Sequence, residues 1–242
     1  MSSTRPFLKR KIDDVAALER QFVVYAATAD DDLAERFATR NVRVTHRLLP
    51  DVGDEGFVIV RDRDGFRAAI GVTTLQELLT PPVRPLGESP DETTAFQRFL
   101  TLLDDTLFRS ANRRQLLATS REIEDLAWRR ASGRLHAGFQ SLTGFRDQLS
   151  VYRQLANHSD LDVHVYGRPE WSPPDVDGLA VHAESNDEIG DVWFVAYDGD
   201  EDDDAKCALL AEQRESTAYD GFWTYDSATV DELFAYLERS YG

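Results

Sequence analysis

Five short apolar runs close the chain, LDVHVYG, LAVHAES, VWFVAYD, KCALLAE and GFWTYD, each too brief for a helix and each bounded by polar or turn-forming residues. Runs of about four to eight residues with that punctuation read as strands. The connection GDEDDDA between VWFVAYD and KCALLAE is short and polar, which predicts an antiparallel hairpin. GRLHAGFQ reads as an earlier strand that ends in a sharp turn, and a helix over about 142–156 separates it from LDVHVYG. A crossover of that length allows the two strands to run parallel. The fold class that follows is α/β in the mixed α+β sense: a sheet with both parallel and antiparallel pairs, flanked by helices.

The first half repeats this order in outline. A helix from about Ile12 to Glu19 leads into QFVVYAA, a second helix runs from Asp31 to Arg40, and RVTHRLL, FVIVRD and FRAAIG follow. A closing helix begins at Thr73, where Thr74 and Glu77 have capping-box spacing. Both halves thus read as strand, strand, hairpin, helix, which predicts two pseudo-repeated lobes. We expect one domain over 1–242, composed of an N-terminal α/β lobe at 1–82, a turn-rich linker with central helices at 83–132, and a C-terminal α/β lobe at 133–242.

TPPVRPLGESPDE opens the middle region, and its prolines break any regular element. Helix 92–108 then gathers Phe96, Phe99, Leu100, Leu103 and Leu107 on one side, a stripe that must pack in the core or on a second copy of itself. Another helix covers Ser120 to Arg130, with Ile123, Leu126 and Ala127 inward and Arg121, Arg129 and Arg130 turned to water; Gly133 ends it. In the last helix, after Asp226, Val230, Leu233, Phe234, Leu237 and Tyr241 form one apolar stripe.

Composition narrows the setting. The 242 residues are 42% hydrophobic, enough for a sizeable core, and the net charge of −17 opposes contact with a nucleic-acid backbone. Lysine occurs only as Lys9, Lys11 and Lys206, and aspartate runs such as Asp30-Asp31-Asp32 and Asp198 to Asp204 recur. Few lysines and many aspartates suit a halophilic cytoplasm of molar salt, where a Debye length of roughly 3 Å screens like charges. The lone Cys207 rules out an intrachain disulfide and a multi-cysteine metal site, and fits a reducing compartment. No apolar run approaches the roughly 20 residues of a membrane span, and the basic MSSTRPFLKRKIDD has no apolar stretch behind it, so neither span nor secretion signal is expected.

Motifs of known chemistry are missing. There is no G-x-S-x-G elbow, no G-x-G-x-x-G and no G-x-x-x-x-G-K-S/T loop. Cys207 sits in an apolar strand and reads as a buried, inert thiol. Asp198 to Asp204 could attract calcium, but Asp203 and Leu209 stand at the sixth and twelfth places of an EF-hand count, so a solvated hairpin tip is the better reading. His46, His136, His158, His164 and His182 show no i, i+4 pair, although His164 and His182 would be neighbours if their strands paired. Arg113, Arg114, Arg121, Arg129 and Arg130 trace a superficial helix-turn-helix outline on two successive helices; the acidity of the rest disfavours nucleic acid as a partner.

The succession LATSREIEDLAWRRASGRLHAGFQ, VYRQLA, LDVHVYG, DVWFVAYDG, CALLAEQ and YDGFWTYD resembles the DICT sensory domain, a module found beside diguanylate cyclases and two-component signalling proteins. It looks closest to the free-standing haloarchaeal versions, densely from Arg113 to Tyr241 and loosely before Pro90. The resemblance implies signal reception and a signalling or regulatory protein as partner. It transfers no binding residues, no cofactor and no metal.

Ligand-binding candidates therefore come from the residues themselves. His136, Phe139, Gln140, Tyr152, His164, Tyr166, Trp193, Trp223 and Tyr225 are aromatic or polar groups near strand ends, the make-up of a small-molecule pocket; the plain alternative is that they are core and sheet-edge residues. The leading reading is a non-catalytic cytoplasmic sensory module that binds a small ligand or a partner, with homodimerisation through helix 92–108 as one arrangement. The alternatives are an enzyme using a histidine and Glu122 or Glu124 between the lobes, a scaffold, and a DNA-linked transcription regulator.

Overall fold

Backbone pairing sorts the strands into two sheets. The computed structural model describes residues 5–16, 20–27, 42–49, 56–62, 65–78, 104, 108–111, 113–157, 160–215 and 218–242. A four-stranded sheet of order β2-β1-β3-β4 holds β1 (Arg20–Ala26), β2 (Val42–Leu48), β3 (Phe57–Asp62) and β4 (Gly65–Gly71), followed by helix α2 (Val72–Leu78). A seven-stranded sheet of order β5-β11-β10-β9-β6-β7-β8 holds β5 (Phe108–Ala111), β6 (Ser132–Ser141), β7 (Asp160–Arg168), β8 (Leu179–Ala183), β9 (Val192–Tyr197), β10 (Cys207–Glu215) and β11 (Ala218–Thr224). The fold is α+β with mixed sheets.

The pairing directions repeat. In the small sheet β1 runs parallel to β2 and antiparallel to β3, which is antiparallel to β4. In the large one β6 runs parallel to β7 and antiparallel to β9, which is antiparallel to β10. The run β7-β6-β9-β10 therefore has the strand order and polarity of β2-β1-β3-β4. Strand β5 pairs with β11, so this part of the middle region is built into the larger sheet.

Helices cover both faces of the large sheet. On one side α3 (Arg113–Arg130) crosses β9, β6 and β10, while α4 (Leu142–Arg146) and α5 (Leu149–Ala156) lie on β6, β7 and β8. On the other side lie α1 (Phe7–Ala16), α6 (Asp187–Asp191) and α7 (Ser227–Tyr241). Leu135, Ala137, Phe139, Trp193 and Val195 face α3, and their cluster takes in Phe22, Val24, Val58 and Val60 of the small sheet and Leu75 of α2. Phe194, Ala196, Leu210 and Phe222 face the other way, onto Leu8, Ile12, Leu233 and Phe234.

Several helix limits differ from expectation, each for a local reason. Helix α1 starts at Phe7, just after Pro6, so that Leu8, Ile12 and Val15 share the buried face. Helix α2 starts at Val72, whose N–H is satisfied by the Gly56 carbonyl at 2.9 Å; Thr74 lies inside it and does not cap it. The single helix expected over 142–156 is broken at Asp147-Gln148, where the Gln148 N–H returns to the Phe145 carbonyl at 2.8 Å. The last helix begins as expected, with the Asp226 carboxylate accepting from the Thr229 N–H at 2.8 Å. The helices expected over 31–40 and 92–108 lie outside the described residues, apart from residue 104 and the β5 residue Phe108. No described helix is long and apolar enough to cross a membrane.

Candidate functional site

Helix α3 carries Thr119, Ser120, Arg121, Glu124 and Asp125 into the interior, an unusual load for a helix buried round most of its circumference. Arg121, expected to face water, is 9% exposed, with Glu124 of α3 and Gln148, which precedes α5, against its guanidinium. The arginines expected on or beside two successive helices all lie on this one continuous helix.

The buried polar groups form a network. Tyr152 on α5 donates to Glu124 Oε1 at 2.7 Å, Arg121 Nη2 donates to Gln148 Oε1 at 3.0 Å, and Trp193 Nε1 donates to Ser120 Oγ at 3.1 Å. Arg121 Nη1 stands 2.8 Å from Glu124 Oε2, an ion pair by distance whose angle is too poor for a hydrogen bond. Arg121 Nε also makes no hydrogen bond. Burial pushes the Glu124 carboxyl above its ordinary range, opposed by the charge of Arg121 and the Tyr152 hydroxyl. The guanidinium of Arg113 stacks over the Trp193 ring at 5.4 Å, closing the N-terminal end of the seam.

At the other end of α3 a recess of about 260 Å³ opens. Its floor is apolar: Ile123 and Leu126 from α3, Ala205 from the turn Asp203–Ala205, and Cys207 at the start of β10. Glu122, Arg130, Asp204 and Tyr225 supply the polar groups around it. Burial raises the Tyr225 phenol well above its ordinary value, with the Glu122 and Asp104 carboxylates adding to the effect, so the hydroxyl stays protonated as a donor. Burial alone pushes the Cys207 thiol up to about 12, consistent with an inert side chain.

A different cluster occupies the opposite face of the sheet. His164 and His182 meet as the strand pairing suggested, His164 Nδ1 lying 2.9 Å from His182 Nε2. The Tyr166 hydroxyl lies 2.9 Å from His136 Nδ1, and His136 stacks on His164 at 4.4 Å. Burial lowers the His136 pKa to about 2, and the charges of His164, Arg134 and His182 act in the same direction. Nearby, Glu188 receives the hydroxyls of Tyr236 and Tyr241 from α7 and the Leu8 N–H of α1, tying both helices to α6.

Residues 97–214 match the family of sensory domains in diguanylate cyclases and two-component systems, DICT. Over that stretch the sequence is similar to a DICT sensory domain. No curated protein matches the chain. Among solved structures, polyphosphate kinase from Porphyromonas gingivalis is similar at 9% identity and a TM-score of 0.39, over 97% of this chain and 48% of that one. The chain thus spans about half the length of that kinase. Phosphatidylserine synthase of Haemophilus influenzae Rd KW20 is similar at 10% identity and a TM-score of 0.29, over 97% of this chain and 84% of that one.

The DICT match spans α3 with its buried network and most of the recess; Tyr225 and α7 lie beyond it. The candidate residues are divided by the sheet. Phe139, Tyr152, Trp193 and Trp223 belong to the α3 side, with Tyr225 packed against them, whereas His136, His164 and Tyr166 belong to the α7 side. Gln140 sits at the irregular end of β6 with φ of 63°, and its amide donates to the Asp191 carbonyl and to Gln213 Oε1, each at 3.1 Å. His158 lies outside the described residues. Strand parity carried this division: His136 and Phe139 are an odd number of residues apart in one strand, so they point to opposite faces. Ser120 and Arg121 are further participants in the DICT seam. The i, i+3 spacing of Arg121 and Glu124 was the available signal.

Proposed function

We propose that the chain is a non-catalytic cytoplasmic receiver: it binds a small ligand or a partner at the α3 seam and passes the event to a signalling protein. The observation that carries this reading is the polar strip inside α3, where Arg121 is nine-tenths buried yet only partly hydrogen-bonded. Buried polar groups are costly unless fully paired, so a ligand or partner that completed the pairing of Arg121 would favour the arrangement of α3 it binds. The enclosure of Glu124, 3% exposed and in contact with Tyr152 and Arg121, supports recognition over acid–base chemistry at that carboxyl.

The test is native mass spectrometry of protein purified in molar KCl, followed by a metabolite thermal-shift screen and amide-exchange measurements. A compound that raises the melting temperature, slows exchange within α3 and is recovered unchanged is the expected result. Conversion of a bound compound into product would overturn the proposal.

A further inference from the structure

Strand β8 gives the large sheet an unprotected edge. It is the last strand in the order, opposite β5, whose pairing with β11 is interrupted by a register shift. The Glu184 N–H bonds to the Gly167 carbonyl at 2.9 Å, and in a parallel ladder this fixes the parity of the strand. Ala180 and His182 turn their backbone groups to β7, whereas Val181 and Ala183 turn theirs outward. Those outward N–H and C=O groups have no backbone partner among the described residues, and Val181 is 36% exposed. Edges are ordinarily blunted by lysine, proline or a bulge, but the sequence LAVHA pairs regularly and carries no lysine, arginine or carboxylate.

Along this edge runs a groove of about 380 Å³. Leu142 of α4 floors it together with Leu179 and Val181, and Trp171, Pro173 and Pro174 of the β7–β8 connection line the rest. Free backbone donors and acceptors beside an apolar floor suit an extended peptide, whose main chain pairs with the edge while alternate side chains enter the groove. The surrounding charge selects which peptide. Residues 169–191 hold seven carboxylates and no lysine or arginine, with Asp175 and Asp177 exposed just ahead of β8. Neighbouring cations are engaged, Arg168 by Asp187 and Asp191 at 3.4 Å each and Arg146 by the Trp171 ring at 5.8 Å. A second copy of this chain would set these carboxylates against one another, whereas lysine or arginine on a partner meets them.

We infer that the β8 edge is the docking site for a basic, extended segment of a partner protein, which adds to the large sheet as a further strand. Helix α5 packs on β8 and carries Tyr152, the partner of Glu124, so the docked segment lies one helix away from the buried α3 network. The inference does not depend on a ligand at the α3 seam, and either can fail alone.

The test is fluorescence anisotropy with the labelled peptide Arg-Lys-Thr-Val-Thr-Val-Thr-Lys-Arg, in the lowest KCl at which the protein stays folded by circular dichroism. Saturable binding is expected, weakened at least about tenfold when the central backbone nitrogens of the peptide are methylated and again when its basic residues are replaced by glutamate. Val181→Pro removes an N–H that the β7 ladder does not use and abolishes binding. Val181→Lys sets an ammonium at the groove floor, at a position already exposed, and weakens binding at least about tenfold; melting temperatures establish that both variants are folded. No saturable binding at millimolar peptide, equal binding of the methylated or glutamate forms, or unchanged binding by the folded variants would each overturn the inference. So would sedimentation of the protein as a dimer that Val181→Lys dissociates, since the edge would then seat a second copy.

Discussion

The Tyr152 hydroxyl and the Glu124 carboxylate meet at 2.7 Å in a place where Tyr152 is 0% and Glu124 3% exposed. Because Arg121 is buried against the same carboxylate, removing Glu124 strands a cation in the interior, whereas removing the Tyr152 hydroxyl only unpairs one oxygen. Glu124→Ala is expected to cost about 3–5 kcal/mol and Tyr152→Phe about 1–3 kcal/mol by denaturant titration in molar KCl. Replacing the pair together, Arg121→Met with Glu124→Leu, is expected to cost less than Glu124→Ala alone. A Glu124→Ala protein as stable as the parent would mean that the network is not closed in solution.

Acid sensitivity follows from the opposite face of the sheet. In the unfolded chain His136 takes up a proton near its ordinary pKa of 6.5, but in the folded protein burial defers this to about 2. Between those values the unfolded state binds more protons, so stability falls as the pH drops below 6.5, with a slope approaching ~1.4 kcal/mol per pH unit. His182, also lowered by burial and by His164, adds to the same slope. Glu124 acts oppositely: its carboxyl is raised, so its contribution to stability is present below its ordinary 4.5 and is lost as the pH rises through the raised value. Comparing the parent with His136→Gln across this range subtracts the other groups. The variant is expected to show the shallower acid limb, and identical limbs would refute the assignment.

Local pattern was enough for much of this architecture. The strands of the second half, the β6–β7 crossover and the β9–β10 hairpin depend on periodicity and connection length, which are written in adjacent residues. So is the meeting of His164 with His182, once their strands pair in parallel. What escaped depends on layers. Nothing beside Arg121 in sequence announces that a second sheet's core joins the cluster around α3, and an arginine in a helix is ordinarily solvated. The site candidates failed to gather for a simpler reason, the neglected parity of β6: a pocket drawn through both His136 and Phe139 has to cross the sheet. Close packing on that strand is equally hidden, since a Cβ at Gly138 would overlap the Phe194 ring.

The thiol offers a direct readout of opening. Cys207 is 2% exposed, and burial holds its pKa at about 12, so the thiolate that reacts with disulfide reagents is almost absent in the folded state. Labelling by an aromatic disulfide reagent at neutral pH is expected to be at least about a hundredfold slower than in denaturant, a factor set by the thiolate deficit as well as by access. A ligand seated in the recess over Cys207 is expected to slow it further. Rapid, ligand-independent labelling of the folded protein would place the thiol at the surface.

Salt response separates the two ways of viewing the acidic composition. With 44 acidic against 27 basic residues, like-charged pairs outnumber attractive ones at the surface, and ion pairs such as Lys206–Asp231 and Arg130–Asp202 offset only a part of the repulsion. Raising KCl from about 0.1 M to about 1 M shortens the Debye length from roughly 10 Å to roughly 3 Å, which weakens repulsion among exposed carboxylates while leaving the buried Arg121–Glu124 contact little changed. The melting temperature is therefore expected to rise over this interval, and most of the gain is expected below 1 M, where the screening length changes fastest. Exposed ion pairs contribute about 0–1 kcal/mol each, so their loss in salt cannot reverse the trend. A melting temperature that is flat or falling with KCl would show that attractive surface pairs, and not the excess of carboxylates, govern the stability of this domain.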